Sequence, residues 1–128
     1  MHVIHGHKHV LPEFRGAAVA IGNFDGVHRG HRALLAEAKS RAAEKKVLAS
    51  AMTFEPYPRE FFQPNEAHFR LTPLKRKLAI FEALGLDLAF VEPFNAELAN
   101  LSGEDFIQRV IVAGLGASHV IIGYDFYF

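Results

Sequence analysis

Two histidines three residues apart, His28 and His31, sit in the stretch GNFDGVHRGH, Gly22 to His31. An apolar run, AVAI, ends just before Gly22, and behind the histidines the pattern turns helical. Imidazoles at i and i+3 leave one side of a first helical turn together. Three kinds of chemistry suit that arrangement. Beside a polyphosphate, anions favour the protonated ring, which then donates hydrogen bonds to phosphoryl oxygens as charge builds. With Asp25, the pair would supply three of the four ligands that zinc requires. Otherwise the two rings simply cap a helix at the surface.

The glycines separate these readings. Gly22, Gly26 and Gly30 permit tight turns and a close approach of backbone to ligand. A helix N-terminus adds unpaired N–H groups and a partial positive charge, which suit a phosphate. Zinc leaves the glycine spacing unexplained. A phosphate site is the reading adopted.

The elements that must position this loop alternate along the chain. AVAIG (18–22) reads as a strand buried on both faces. From about Gly30 a helix follows, with Leu34, Leu35, Ala38 and Ala42 on one face and Arg32, Lys39 and Lys46 elsewhere. VLASAMTF (47–54) is the next strand, and EPYPREFFQPNEAHFRL, with three prolines and no period, reads as a long loop. Thr72 is placed to cap a helix with Pro73 at its first position. Leu74, Leu78, Phe81 and Leu84 form its stripe and Gly85 its stop.

DLAFVEPF supplies a third strand. Ser102 and Asp105 make a near capping box for a helix whose apolar face is Phe106, Ile107, Val110 and Ile111. SHVIIGYDF (118–126) is a fourth strand. The alternation predicts an α/β fold, a Rossmann-like parallel sheet with flanking helices and right-handed crossovers. In such sheets ligands bind beyond the carboxyl ends of the strands, where GNFDGVHRGH lies.

Bulk properties narrow the classes. The chain has 128 residues, half of them hydrophobic and twelve of them Phe, enough for one domain with a real core. Fourteen basic residues balance fourteen acidic ones, which argues against nucleic-acid or membrane-surface binding. There is no cysteine, so disulfides and thiolate chemistry are excluded. No stretch approaches a membrane span or a signal peptide, and a cytoplasmic location is expected.

Other candidates are read as structural. His5, His7 and His9 alternate and would share one face of a strand, but no carboxylate cluster accompanies them and the site-bearing end of the sheet begins later. PLKRK (73–77) is expected to be a solvated helix face, and His119 to be structural. Phe61 and Phe69 are expected in ordinary packing.

GNFDGVHRGH closely resembles the histidine-glycine-histidine signature of the nucleotidyltransferase superfamily. It is similar in particular to the FMN adenylyltransferase module of bacterial bifunctional riboflavin kinase/FMN adenylyltransferases, also called FAD synthetases. A bare His-x-Gly-His is shared with class I aminoacyl-tRNA synthetases and pantetheine-phosphate adenylyltransferases; the string with NFDG is more specific. TFEPYPREFF, LTPLKRKLAIFEALGLD and HVIIGYDFYF resemble that family's segments in the same order, so the resemblance covers essentially the whole chain.

The resemblance implies adenylyl transfer from ATP to FMN, giving FAD and pyrophosphate, with Mg²⁺ carried largely by phosphates and water. It implies His28 and His31 as catalytic groups on the triphosphate. It implies nucleotide contacts at Gly22, Asn23, Phe24, Asp25, Gly26, Gly30 and Asp125, and a flavin wall at Phe54, Pro56, Pro58 and Phe62. Tyr127 stands where the family often has a basic residue. The family's second nucleotide signature and its C-terminal riboflavin kinase domain would lie beyond Phe128. The expectation is therefore residues 1–128 as the N-terminal portion of an FMN adenylyltransferase domain, truncated, with weak or no turnover alone. Two alternatives stay open: adenylyl or cytidylyl transfer to another phosphate acceptor, and a non-catalytic nucleotide- or flavin-binding fragment.

Overall fold

The computed structural model describes residues 1–25, 29–65 and 73–123. Five parallel strands form one sheet in the order β1-β4-β3-β2-β5. They are β1 (His2–His5), β2 (Ala18–Ile21), β3 (Ala49–Phe54), β4 (Leu88–Glu92) and β5 (His119–Ile122). Between them come α1 (Arg29–Lys45), the short α2 (Pro58–Phe62), α3 (Leu74–Ala83), α4 (Ala96–Ala99) and α5 (Gly103–Asp105). The last runs directly into a π-helix, Phe106–Leu115. This is the expected Rossmann-like α/β fold.

The two faces of the sheet differ in side-chain size, and that difference sets the layers. Ala18, Ala20, Ala49, Ala51 and Ala89 point to one face, where α1 brings Leu35, Ala38 and Ala42 and α3 brings Phe81. Small side chains on both partners let the α1 backbone lie close to the strands. The other face carries Val19, Ile21, Met52, Phe54, Leu88 and Phe90, covered by Phe94, Leu98 and the π-helix residues Phe106, Val110, Ile111 and Leu115. Each of those large side chains contributes roughly 1.5–3 kcal/mol by burial, so the bulky face carries most of the stabilisation.

From β2 the chain steps outward to β3 and β4, then returns to place β5 on the far side of β2. The crossovers diverge between β2 and β5, which makes the carboxyl ends of those strands the ligand crevice of this topology. The loop after β2 opens there.

Four expectations need correction. The sheet has a fifth strand, β1, on its edge beside β4. Gly6, at φ +82°, turns the chain after His5, so His7 and His9 lie beyond the strand and the three histidines do not share a strand face. The proline-rich segment holds a helical turn, α2, braced where Tyr57 N–H donates to the Glu60 carboxylate at 2.9 Å. Helix α3 starts at Leu74 with Pro73 as its extended N-cap, and no side chain caps it. Thr72 lies outside the described residues, as do Phe69 and Tyr127.

Ser102 caps α5 as expected, accepting from the Asp105 N–H at 3.0 Å. Beyond that turn the winding widens to i→i+5, as where the Gly116 N–H donates to the Ile111 carbonyl. This brings Phe106, Val110, Ile111 and Leu115 onto the sheet together. Gly116, at φ +63°, ends it, and the Arg15 guanidinium donates to the Ala113 and Gly114 carbonyls.

Candidate functional site

The loop after β2, the candidate site, is anchored by its own backbone. Gly22 N–H donates to the Met52 carbonyl at 3.1 Å, extending the β2–β3 ladder by one residue. The Asn23 carbonyl then turns inward. It accepts from the Thr53 hydroxyl at 3.0 Å and from Lys77 Nζ at 2.6 Å. Lys77 Nζ also donates to Thr53 Oγ1 at 3.1 Å and to the Tyr57 hydroxyl at 2.8 Å. It stands 4.6 Å from the centroid of the Tyr57 ring.

Lys77 is wholly buried, which corrects the reading of PLKRK as a solvated face. Lys75 and Arg76 are exposed as expected. Lys77 lies one turn before Phe81, so the helix turns both toward the sheet. An ammonium has three N–H donors, and three oxygens meet them here. This saturation is what lets a charge sit under the loop. Lys77, Thr53 and Tyr57 were not among the site residues expected from the sequence. The available signal was a lysine inside the apolar stripe of Leu74, Leu78 and Phe81.

Phe24 adopts φ +55°, a left-handed conformation costing roughly 1–2 kcal/mol for a residue with a Cβ. Its buried ring meets Phe81 edge-on at 5.3 Å and 86°, and His31 at 5.3 Å and 66°. Aromatic pairs of this kind contribute about 0.5–1.5 kcal/mol each beyond burial, enough to offset the backbone strain. Phe24 therefore serves the loop as an internal anchor; its side chain presents no surface to a ligand. A Cβ on Gly22 would come within 3.4 Å of that ring.

Asp25 is half-buried in the turn, and His31 is half-buried in the first turn of α1, with Gly30 exposed beside it. The loop and helix thus bring Gly22, Asn23, Asp25, Gly30 and His31 to one end of the sheet. Gly26, His28 and Asp125 lie outside the described residues. Among the described residues, Asn23 Oδ1 is buried without a hydrogen-bond partner.

The flavin-wall residues separate. Phe54 is wholly buried and packs against Phe94 and Phe106 on the bulky face, so it offers no wall. Its strand position dictates this, since alternate β3 residues from Ser50 to Phe54 point to that covered face. Pro56 is exposed after a cis Glu55–Pro56 bond, and Pro58 opens α2. Phe62 is 62% exposed and edges onto Phe61 and Phe94. Phe61 is half-buried against the core, matching the packing role read for it.

A second concave region lies at the ends of β1 and β4. A cavity of about 350 Å³ is lined by His7, Lys8, Glu92, Glu97 and Arg109 among others. His7 Nδ1 bonds to Glu92 Oε1, while Oε2 is buried with no partner among the described residues. Burial pushes the Glu92 carboxyl up; the His7 hydrogen bond and charge pull it down less. The N-terminal histidines therefore do reach the site-bearing end of the sheet. Among the described residues no group of three or more His, Cys, Asp or Glu could hold a metal ion. No helix among them is long and apolar enough to cross a membrane. His119 bonds to its neighbour Ser118 at 3.0 Å.

Known proteins with similar sequences agree with one another. The bifunctional riboflavin kinase/FMN adenylyltransferase of Pseudomonas fluorescens is 44% identical over all of this chain and 41% of its own length. That of Bacillus subtilis (strain 168) is 36% identical over 98% of the chain and 40% of its own length. That of Escherichia coli (strain K12) is 38% identical over 88% of the chain and 36% of its own length. The chain thus spans about two fifths of these relatives. Among solved structures, one described as a macrolide-efflux protein from Streptococcus pneumoniae superposes over the whole chain and 43% of its own, with TM-score 0.79 and 20% identity. That likeness speaks for the fold alone. The family model described as FAD synthetase matches residues 6–128, and with relatives at this identity the chain belongs to the FAD synthetase family.

Proposed function

We propose that this chain is the N-terminal, ATP-binding part of an FMN adenylyltransferase domain that forms FAD. An FMN phosphate oxygen attacks the α-phosphorus of Mg-ATP in line. The bond from that phosphorus to the bridging oxygen breaks, and pyrophosphate leaves. Catalysis is then alignment and charge stabilisation, with no covalent intermediate. Mg²⁺ enters with the ATP, held largely by phosphate oxygens and water. A riboflavin kinase domain would accompany this part in the full protein, which would work in the cytoplasm on small molecules.

The observation that carries the reading is the loop from Gly22 to Asp25. It stands at the crevice end of β2 and opens onto the N-terminus of a seventeen-residue helix, where unpaired N–H groups suit phosphoryl oxygens. His28 and His31 would meet the triphosphate and neutralise the departing pyrophosphate. Phe62, exposed on the aromatic cluster of Phe61 and Phe94, is the described side chain best placed to cover a flavin ring. The family match weighs against another acceptor.

The test combines binding and turnover. Mg-ATP is titrated into the chain by calorimetry, and FAD formed from FMN and Mg-ATP is followed chromatographically. Saturable Mg-ATP binding with slow FAD formation is expected. Absence of Mg-ATP binding overturns the reading. In any form with measurable turnover, His28→Ala and His31→Ala should each slow the reaction about 10²–10³-fold, the loss typical of one transition-state donor. Unchanged turnover in both variants would remove the histidines from the mechanism.

A further inference from the structure

We infer that Lys77, acting with Thr53, is a positioning residue that sets the phosphate-facing backbone of the loop after β2. The inference rests on the nucleotide-site reading above. Three observations carry it. Lys77 and Thr53 both donate to one acceptor, the Asn23 carbonyl, at 2.6 and 3.0 Å. The Asn23–Phe24 peptide is trans, so the Phe24 N–H points opposite to that carbonyl, away from Lys77. Phe24 is left-handed at φ +55°, and its ring is clamped between Phe81 and His31.

Helix α3 therefore grips the loop twice. Lys77 draws one carbonyl inward, and Phe81, one turn later, seats the ring that abuts His31. A carbonyl pulled into the protein turns the next amide outward, and outward amides in such turns are what receive phosphoryl oxygens. Lys77 does not itself act on substrate in this arrangement, because its donors are directed to Asn23, Thr53 and Tyr57. Its effect reaches the nucleotide through the backbone of residues 23 and 24.

Lys77→Met keeps the side chain as far as Cε and removes its donors. The decisive measurements are Mg-ATP affinity by calorimetry, amide hydrogen exchange at residues 22–25, and thermal melting, each on the whole chain. The expected result is melting within about 5 °C of the parent, faster exchange at the loop, and affinity weakened on the order of tenfold or more. A core-filling lysine would give unchanged affinity and exchange in a folded variant, and that outcome overturns the proposal. Should Lys77→Met fail to fold, Thr53→Val decides, since it removes the second donor to the same carbonyl. Folded Thr53→Val with parental exchange and affinity overturns the proposal; weaker binding with faster exchange supports it. If the parent chain itself binds no Mg-ATP, the nucleotide site fails and this inference with it. If the parent binds and Lys77→Met binds equally well, Lys77 alone is refuted.

Discussion

Lys77 and Glu92 are the two charged side chains buried among the described residues, and they lie on opposite faces of the sheet near the same end. Lys77 shares the α1–α3 face with Thr53. Glu92 pairs in register with Phe54, on the face covered by the π-helix. The lysine has an oxygen for each of its three donors. The glutamate has His7 on one oxygen and, among the described residues, nothing on the other. A saturated buried network fixes one shape, whereas a half-saturated one keeps a desolvation cost that a proton or a donor relieves. The first suits a loop whose geometry must not vary. The second is a buried carboxyl on the rim of a cavity, where protonation relieves that cost.

The largest effect should come from spoiling that saturation while keeping the charge. Thr53→Val with Tyr57→Phe removes two of the three oxygens that, among the described residues, accept from Lys77 Nζ. Leaving a buried charge short of partners costs about 3–5 kcal/mol. Replacing the charge by an apolar isostere costs far less. Urea unfolding should therefore rank Thr53→Val/Tyr57→Phe well below Lys77→Met in stability. The reverse order would mean that the lysine charge, and not its satisfaction, holds the loop.

The same contrast explains what was legible beforehand. Strand AVAI, helix α1 and the turn that opens after β2 follow from local pattern, because apolar period and glycine spacing are written in consecutive residues. Lys77 and Phe54 were misread because their environments come from other segments. Lys77 is defined by Asn23, Thr53 and Tyr57, which no helical window contains. Phe54 reads equally as core or as wall until its face is known, and Phe106 from the π-helix then covers that face. The edge strand β1 was missed because four residues around Val3 and Ile4, flanked by histidines, give too short a signal without β4 beside them.

Glu92→Gln sharpens the other half of the comparison. Burial raises the Glu92 pKa above its ordinary 4.5. Its contribution to stability is therefore complete below pH 4.5 and is lost as pH rises through the higher folded value. The glutamine variant never ionises. It should match the parent in acid and exceed it at neutral pH. Urea unfolding from pH 4 to 8 measures the gap. A gap independent of pH would mean that the substitution acts through packing, leaving ionisation at Glu92 without effect.

The smallest effect concerns Glu97, on the same rim but fully exposed. Lys8 donates to it at 2.9 Å, and that hydrogen bond, followed by the Lys8 charge, lowers its pKa. Its sign is the reverse of Glu92: the contribution is present above pH 4.5 and is lost as pH falls through the lowered value. Exposure and salt screening keep it small, so Glu97→Gln should shift melting least and lose even that shift near 1 M salt. The two carboxylates are also coupled, since the Glu97 charge is one of the causes that raise Glu92. Removing it makes ionisation at Glu92 less costly, so Glu92→Gln should gain less in the Glu97→Gln background than in the parent. A double-mutant cycle at pH 7 reads that difference directly. Strict additivity would show that the rim charges do not sense one another, and Glu92 would then be governed by burial and His7 alone.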